Sequence, residues 1–157
     1  VGDSLLQLMQ NTDKKRSVQF ESQFEDASGQ VIPLSVNLSW IRFEQRNYFY
    51  LVARNAKQEI VAVAGIRDYA HLYHLFVADD YQGQGLSRQL WQALLVESLR
   101  QGNRGRFTVN SALHAEHIYL RFGFKRTEGV RNRDGMVDIP MLLELPAPAS
   151  HLDCAEI

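Results

Sequence analysis

Between Leu72 and Trp91 the sequence reads LYHLFVADDYQGQGLSRQLW, an apolar segment that enters a loop holding Gly83 and Gly85 and leaves it as an amphipathic helix. Glycine permits backbone conformations and close approaches that a side chain forbids, and the first N–H groups of a helix have no partner within it. Together these features can hold an anion, a phosphate above all, on backbone donors. A tight strand-to-helix connection can look the same and bind nothing, so the spacing has to discriminate. No lysine follows the second glycine, as G-x-x-x-x-G-K-[ST] would require, and Arg88 stands where G-x-G-x-x-G needs its third glycine. Nucleotide hydrolysis on a P-loop and dinucleotide redox chemistry are thereby set aside.

The elements that must position this loop can be read from periodicity. Leu5, Leu6, Leu8 and Met9 recur at near-helical spacing and predict a short helix over residues 3–15. Alternating apolar residues then predict a hairpin around Ala27-Ser28-Gly29-Gln30, with Val18, Phe20 and Phe24 on one arm and Ile32, Leu34, Val36, Leu38 and Trp40 on the other. Turns at 44–47 and 55–58 extend it into a β-meander, and Leu72 to Val77 adds a strand. The period then becomes helical to Gln101, with Leu86, Leu90, Leu94 and Leu95 as the stripe and Gly102 as the stop. A strand over 106–110, a helix over 112–122 ending at Gly123, and a closing hairpin around a polar turn at 131–135 complete the order. PAPASHLDCAEI reads as a frayed tail.

The chain has 157 residues, 45% hydrophobic and 22% charged, the balance of a soluble globular protein of one domain, or of one domain with a partial second element attached. Lys plus Arg number 17 and Asp plus Glu 18, so the net charge of -1 points to neither nucleic acid nor a membrane surface. No apolar run approaches the roughly 20 residues of a membrane helix, and no signal peptide is read at VGDSLLQLMQ. Cys154 has no partner for a disulfide, and the expectation is a cytoplasmic protein.

Gln82, Gly85 and Ser87 fall on the three defined positions of Q/R-x-x-G-x-G/A, the acetyl-CoA signature of the GNAT acetyltransferases, which the sequence resembles; Ser87 departs from the usual Gly or Ala. The resemblance implies that residues 82–88, namely Gln82, Gly83, Gln84, Gly85, Leu86, Ser87 and Arg88, hold the CoA pyrophosphate, with Ser87 still able to cap the helix. It implies that Leu75, Phe76 and Val77 lie on the strand that pairs with the pantetheine arm and steadies the thioester carbonyl. TVNSALHAEHIYLRFGF resembles the family's next strand and helix, with Ala115, Tyr119, Gly123 and Phe124 in matching positions. That assigns Tyr119 as the acid for the departing thiolate, a role a phenol can fill. It also places Asn110 near the pantetheine, while Ala112 stands where an asparagine is often found. The resemblance spans residues 48–145 and implies an α/β (α+β) fold with a mixed, largely antiparallel sheet flanked by helices. The activity implied is acetyl transfer from acetyl-CoA to an amine of unknown identity by direct attack, with no metal ligands.

A base near the thioester would keep the amine neutral; His71, His74, His114, Glu116 and His117 are the candidates, each singly more often a solvent-facing polar residue, and only His74 has its address on the central strand. Strand alternation aims His74 and Phe76 away from the side taken by Leu75 and Val77. Residues 1–47 do not read as the usual GNAT front end. DASGQVIPLSVNLSWIRFEQRNYFYLVARN is similar to the last strands of a PAS sensor domain. The expected layout is a helix and hairpin over 1–47 continuing the sheet, an acetyl-CoA-binding core over 48–145, and a tail over 146–157. An exposed edge strand would make a homodimer an expected partner state. The alternative is a PAS-like sensor whose GNAT half binds CoA with weak or no turnover.

Overall fold

The computed structural model describes residues 17–146. The helix expected over residues 3–15 and the tail with Cys154 lie outside the described residues. The described chain is mixed α/β, with every strand pair whose register is given antiparallel, as the sequence predicts. It divides into two compact units after Gly102. No helix among the described residues is long and apolar enough to cross a membrane.

The first unit is a meander of β1 (Ser17–Glu25), β2 (Val31–Phe43), β3 (Arg46–Arg54), β4 (Ile60–Arg67) and β5 (His71–Val77), followed by helix α1 (Leu86–Arg100). Residue 48, where the resemblance begins, lies inside β3, so β1 and β2 run on into the same sheet. Asp26 ties the first turn, its Oδ1 accepting from the N–H groups of Ser28 and Gln30 at 2.9 Å each. The β2–β3 and β4–β5 connections place pairs of residues, Glu44-Gln45 and Asp68-Tyr69, at positive φ. That handedness matches the twist of the flanking strands.

Alternation sorts the sheet into two faces. Val36, Ala53, Ala62 and Val77 form one cross-strand row, and Leu38, Leu51, Ala64 and Leu75 the next. Ala62 and Ala64 are fully buried. Their small side chains suit a strand against which a helix packs, and α1 meets β4 and β5, burying Leu86, Leu90, Trp91 and Leu94. Burying each large apolar side chain stabilises by about 1.5–3 kcal/mol, which makes this layer the main support of the loop ahead of α1. Leu95 of the expected stripe is only half-buried.

Glu97, invisible as a core residue in the sequence, is 0% exposed near the end of α1. Its Oε1 accepts from Arg100 Nη2 at 2.6 Å and from Gln101 Nε2 at 2.8 Å. Glu97→Ala removes these hydrogen bonds and leaves a cavity while the exposed Arg100 and Gln101 donors return to water, so it is expected to cost about 1–2 kcal/mol. Urea unfolding checks it, and a loss below about 0.5 kcal/mol would mean that the pair is a surface ornament.

The second unit comprises β6 (Arg106–Ser111), α2 (Glu116–Phe122), β7 (Lys125–Arg126), β8 (Arg131–Arg133) and β9 (Met136–Glu144). β6 pairs β9 over six positions, from Arg106↔Glu144 to Ser111↔Ile139. Phe107, Val109, Phe124, Ile139 and Met141 are buried. The helix expected over 112–122 begins instead as a 3-10 turn at Leu113–Ala115 and becomes α-helical only at Glu116. The polar turn expected over 131–135 is also different: Arg131–Arg133 is a strand, and only Asp134-Gly135 turns. The arginines pair with β9 across that short turn, and side-chain bonds hold them there. Arg131 Nε and Arg133 Nη2 each donate to Asp138 at 3.0 Å, and Arg131 Nη2 donates to Asn110 Oδ1 at 3.1 Å.

The Arg131 hydrogen bond, and then that of Arg133, hold the Asp138 carboxyl below its ordinary value of 3.8. A carboxylate depressed in the folded state adds stability above its unfolded value and loses it as pH falls through the folded one. The melting temperature is therefore expected to fall below a pH of about 3.8. Thermal melts should show a shallower acid decline in Asp138→Asn, and identical declines would remove the assignment.

Candidate functional site

The glycine loop lies wholly in the first unit. β5 ends at Val77, the Ala78 N–H donates to the Val61 carbonyl at 2.8 Å, and a single 3-10 turn, Asp79–Tyr81, leads into residues 82–85. Gln82 folds back on the strand: its Nε2 donates to the Val77 carbonyl at 2.8 Å and to Asp79 Oδ1 at 3.3 Å. Gln84 Nε2 donates to the Asp80 carbonyl at 2.9 Å. Both glutamine side chains therefore pin the loop.

Gly83 and Gly85 have φ of +73° and +87°, a region that costs a non-glycine residue about 1–2 kcal/mol. An added Cβ at either would meet nothing within 4 Å, so handedness, not crowding, is what demands glycine. Gly85 is the N-cap of α1, with no side-chain cap hydrogen bond and no acidic residue in the first turn. The Gln89 N–H makes the first bond of the helix, to the Gly85 carbonyl at 3.2 Å. Ser87, expected to cap, does not: it sits inside the first turn, after the N-cap. Leu86 is 1% exposed, so it has only its backbone to offer a ligand. An uncapped, acid-free helix start behind a glycine loop can take an anion.

On β5, Val77 is buried and Phe76 is 52% exposed on the opposite face, with Leu75 intermediate. The alternation of His74 and Phe76 against Leu75 and Val77 is as expected. The register shifts between Gly65 and Ile66, where Gly65 pairs His74 and Ile66 pairs Leu72, and Tyr73 is the extra residue of a bulge. His74 Nδ1 hydrogen-bonds the Tyr50 hydroxyl at 2.8 Å.

The second unit carries the other two candidates. Asn110 ends β6 with its amide oxygen engaged by Arg131. Tyr119 is buried on α2, its ring 6.2 Å from that of Phe122 and 5.9 Å from that of Phe124, both edge-on. Gly123, at φ +102°, closes the helix and turns Phe124 back, the Phe124 N–H donating to the Tyr119 carbonyl at 3.0 Å. Burial pushes the Tyr119 phenol above its ordinary value of 10.0, so it stays protonated at neutral pH.

The candidate bases separate. Arg126 hydrogen-bonds Glu116 and holds its carboxyl below the ordinary 4.5, which makes it a weaker base. Burial, followed by the charges of Arg67 and Arg46, lowers His71. His114 and His117 are exposed. A cluster around Arg67 escaped the sequence reading, because the three strands that build it are separate in the chain.

The fold has solved counterparts. A GCN5-related N-acetyltransferase from Rhodopseudomonas palustris is 21% identical with a TM-score of 0.54, the match covering 62% of each chain. A putative N-acetyltransferase from Lactobacillus plantarum is 21% identical over 62% of this chain and 70% of its own, with a TM-score of 0.52. An acyl-CoA N-acyltransferase from Pseudomonas aeruginosa is 22% identical over 61% and 68%, with a TM-score of 0.51. The chain thus spans less than two thirds of the first of these. No curated protein matches. A family model for the acetyltransferase (GNAT) domain matches residues 34–145, which takes in most of the PAS-like stretch, and the comparisons do not support the PAS resemblance. With that match over most of its length, and with the glycine loop and helix start in place, the chain belongs to the GNAT acetyltransferase domain family.

Proposed function

We propose that the chain transfers an acetyl group from acetyl-CoA to an amine by direct attack within a ternary complex. The observation that carries this reading is the loop at residues 82–88. Two left-handed glycines and an uncapped helix start leave backbone N–H groups for a pyrophosphate, inside a domain matched to the acetyltransferase family. Gln82 and Gln84 tie that loop back to the carbonyls of Val77 and Asp80, so binding a diphosphate would require little ordering.

The thioester supplies the activated acyl group, and no covalent enzyme intermediate is needed. Backbone groups at Leu75, Phe76 and Val77 are proposed to orient the carbonyl, and Tyr119 to donate a proton or hydrogen bond to the departing sulfur. Asn110 is proposed to approach the pantetheine with its amide N–H₂, its oxygen being held by Arg131. The acceptor amine must be neutral to attack, and the proton it then sheds passes to solvent or to a nearby base.

Calorimetric titration with acetyl-CoA tests the reading, followed by assay of free thiol release across a panel of primary amines. Micromolar binding and amine-dependent thiol release support it. An absence of both heat and thermal shift overturns it.

A further inference from the structure

On the sheet face opposite the Ala62 and Ala64 side, side chains from β3, β4 and β5 gather around Arg67. Strand register sets Tyr48, Arg67 and His71 in one row and Tyr50, Gly65 and His74 in the next, and the bulge adds Tyr73. Gly65 lets the cluster close. A Cβ there would stand 2.2 Å from the Tyr50 ring, so its absence allows that ring to lie across β4 and reach His74. Tyr48 lies 6.4 Å from Tyr50 and 6.1 Å from Tyr73, centroid to centroid, and Tyr73 meets His74 edge-on at 4.5 Å. Tyr73 is 48% exposed, so the aromatic surface is reachable.

The charge on this face is predominantly positive, Arg67 and Arg46 both acting on His71 and the opposing carboxylate beside them being Asp68. The Arg67 guanidinium lies 5.7 Å from the Tyr73 ring centroid, and no ion pair joins it to a carboxylate among the described residues. Its Nε is buried without a hydrogen-bond partner. Buried donors are nearly always satisfied, so one left open on a charged group marks a place for an acceptor. The neighbouring carboxylate, Asp68, feels the Arg67 charge but makes its hydrogen bonds elsewhere, accepting from Arg46 Nη1 at 2.8 Å and the Asn47 N–H at 2.9 Å. His71 is held toward its neutral form, first by burial and then by Arg67 and Arg46, so the local field is positive without it.

We propose that this face binds a small aryl carboxylate, its carboxylate on Arg67 and its ring against Tyr48, Tyr50 and Tyr73. A planar guanidinium matches a carboxylate, and tyrosines offer flat apolar walls with polar tips. A cationic amine is rejected by the same guanidinium. The site lies within the first unit and stands whether or not the chain turns over acetyl-CoA.

The test is a ligand-observed NMR titration of the full chain with 3-phenylpropionate, against phenethylamine and acetate. The expected result is saturable binding of 3-phenylpropionate alone, weakened about tenfold or more in Arg67→Gln and in Tyr73→Ala, and partly restored in Arg67→Lys. Thermal melts confirm that each variant folds, and the exposed Tyr73→Ala serves if Arg67→Gln does not. The proposal is overturned if 3-phenylpropionate fails to saturate, binds the folded variants as well as the original, or is matched by phenethylamine.

Discussion

Acetyl-CoA affinity is expected to fall about 100-fold or more when Gly85 is replaced by glutamate, the combined effect of backbone strain and a misplaced charge. At φ +87° an L side chain costs about 1–2 kcal/mol, which the loop can relieve only by moving its N–H groups out of line. The glutamate carboxylate adds like-charge repulsion toward a diphosphate, about 3 kcal/mol at 5 Å and an effective dielectric constant of 20, before salt screening. Since a Cβ at Gly85 meets nothing within 4 Å, Gly85→Ala isolates the strain and should weaken binding by about 30-fold at most. Calorimetry on the two variants separates the contributions. Wild-type affinity in Gly85→Glu would mean that the loop holds no phosphate.

Tyr119→Phe should lower kcat by about 100-fold with little change in KM, the range over which a positioned proton donor contributes. Phenylalanine keeps the ring and its edge-on contacts with Phe122 and Phe124, so the fold should survive. Burial raises the phenol above 10.0, which makes it a weaker acid than an ordinary thiol but keeps it protonated across neutral pH. The proposed role is donation to the sulfur as the carbon–sulfur bond breaks. Steady-state kinetics with whichever amine the wild-type chain accepts would settle the role; a loss under about threefold would return Tyr119 to packing alone.

The loop was readable in the sequence because everything that makes it is local. Two glycines, a strand ahead and a helical period behind occupy twenty consecutive residues, and the hairpin at Asp26 to Gln30 is local in the same sense. Misreadings fall where side-chain partners, near or far in sequence, override what local polarity suggests. Arg131 to Arg133 look like a turn by polarity, but buried Asp138 and Asn110 on β6 draw them into a strand. Glu97 sits on the helix like any solvent-facing glutamate until Arg100 and Gln101 close over it. The Tyr73 bulge and the Arg67 cluster depend on register across three strands, which alternation within a single strand does not specify.

The family match begins at residue 34, inside β2, whereas β1 pairs β2 from Ser17↔Ser39 to Glu25↔Val31 without a register break. A shortened chain begun at the family boundary would keep the signature loop and still be a poor choice for expression. It would lose fully buried Phe24 and bare the hydrogen-bonding edge of β2 beside Leu34, Val36 and Leu38. Such an apolar edge invites pairing between chains, so a shortened version should keep β1 from Ser17 onward.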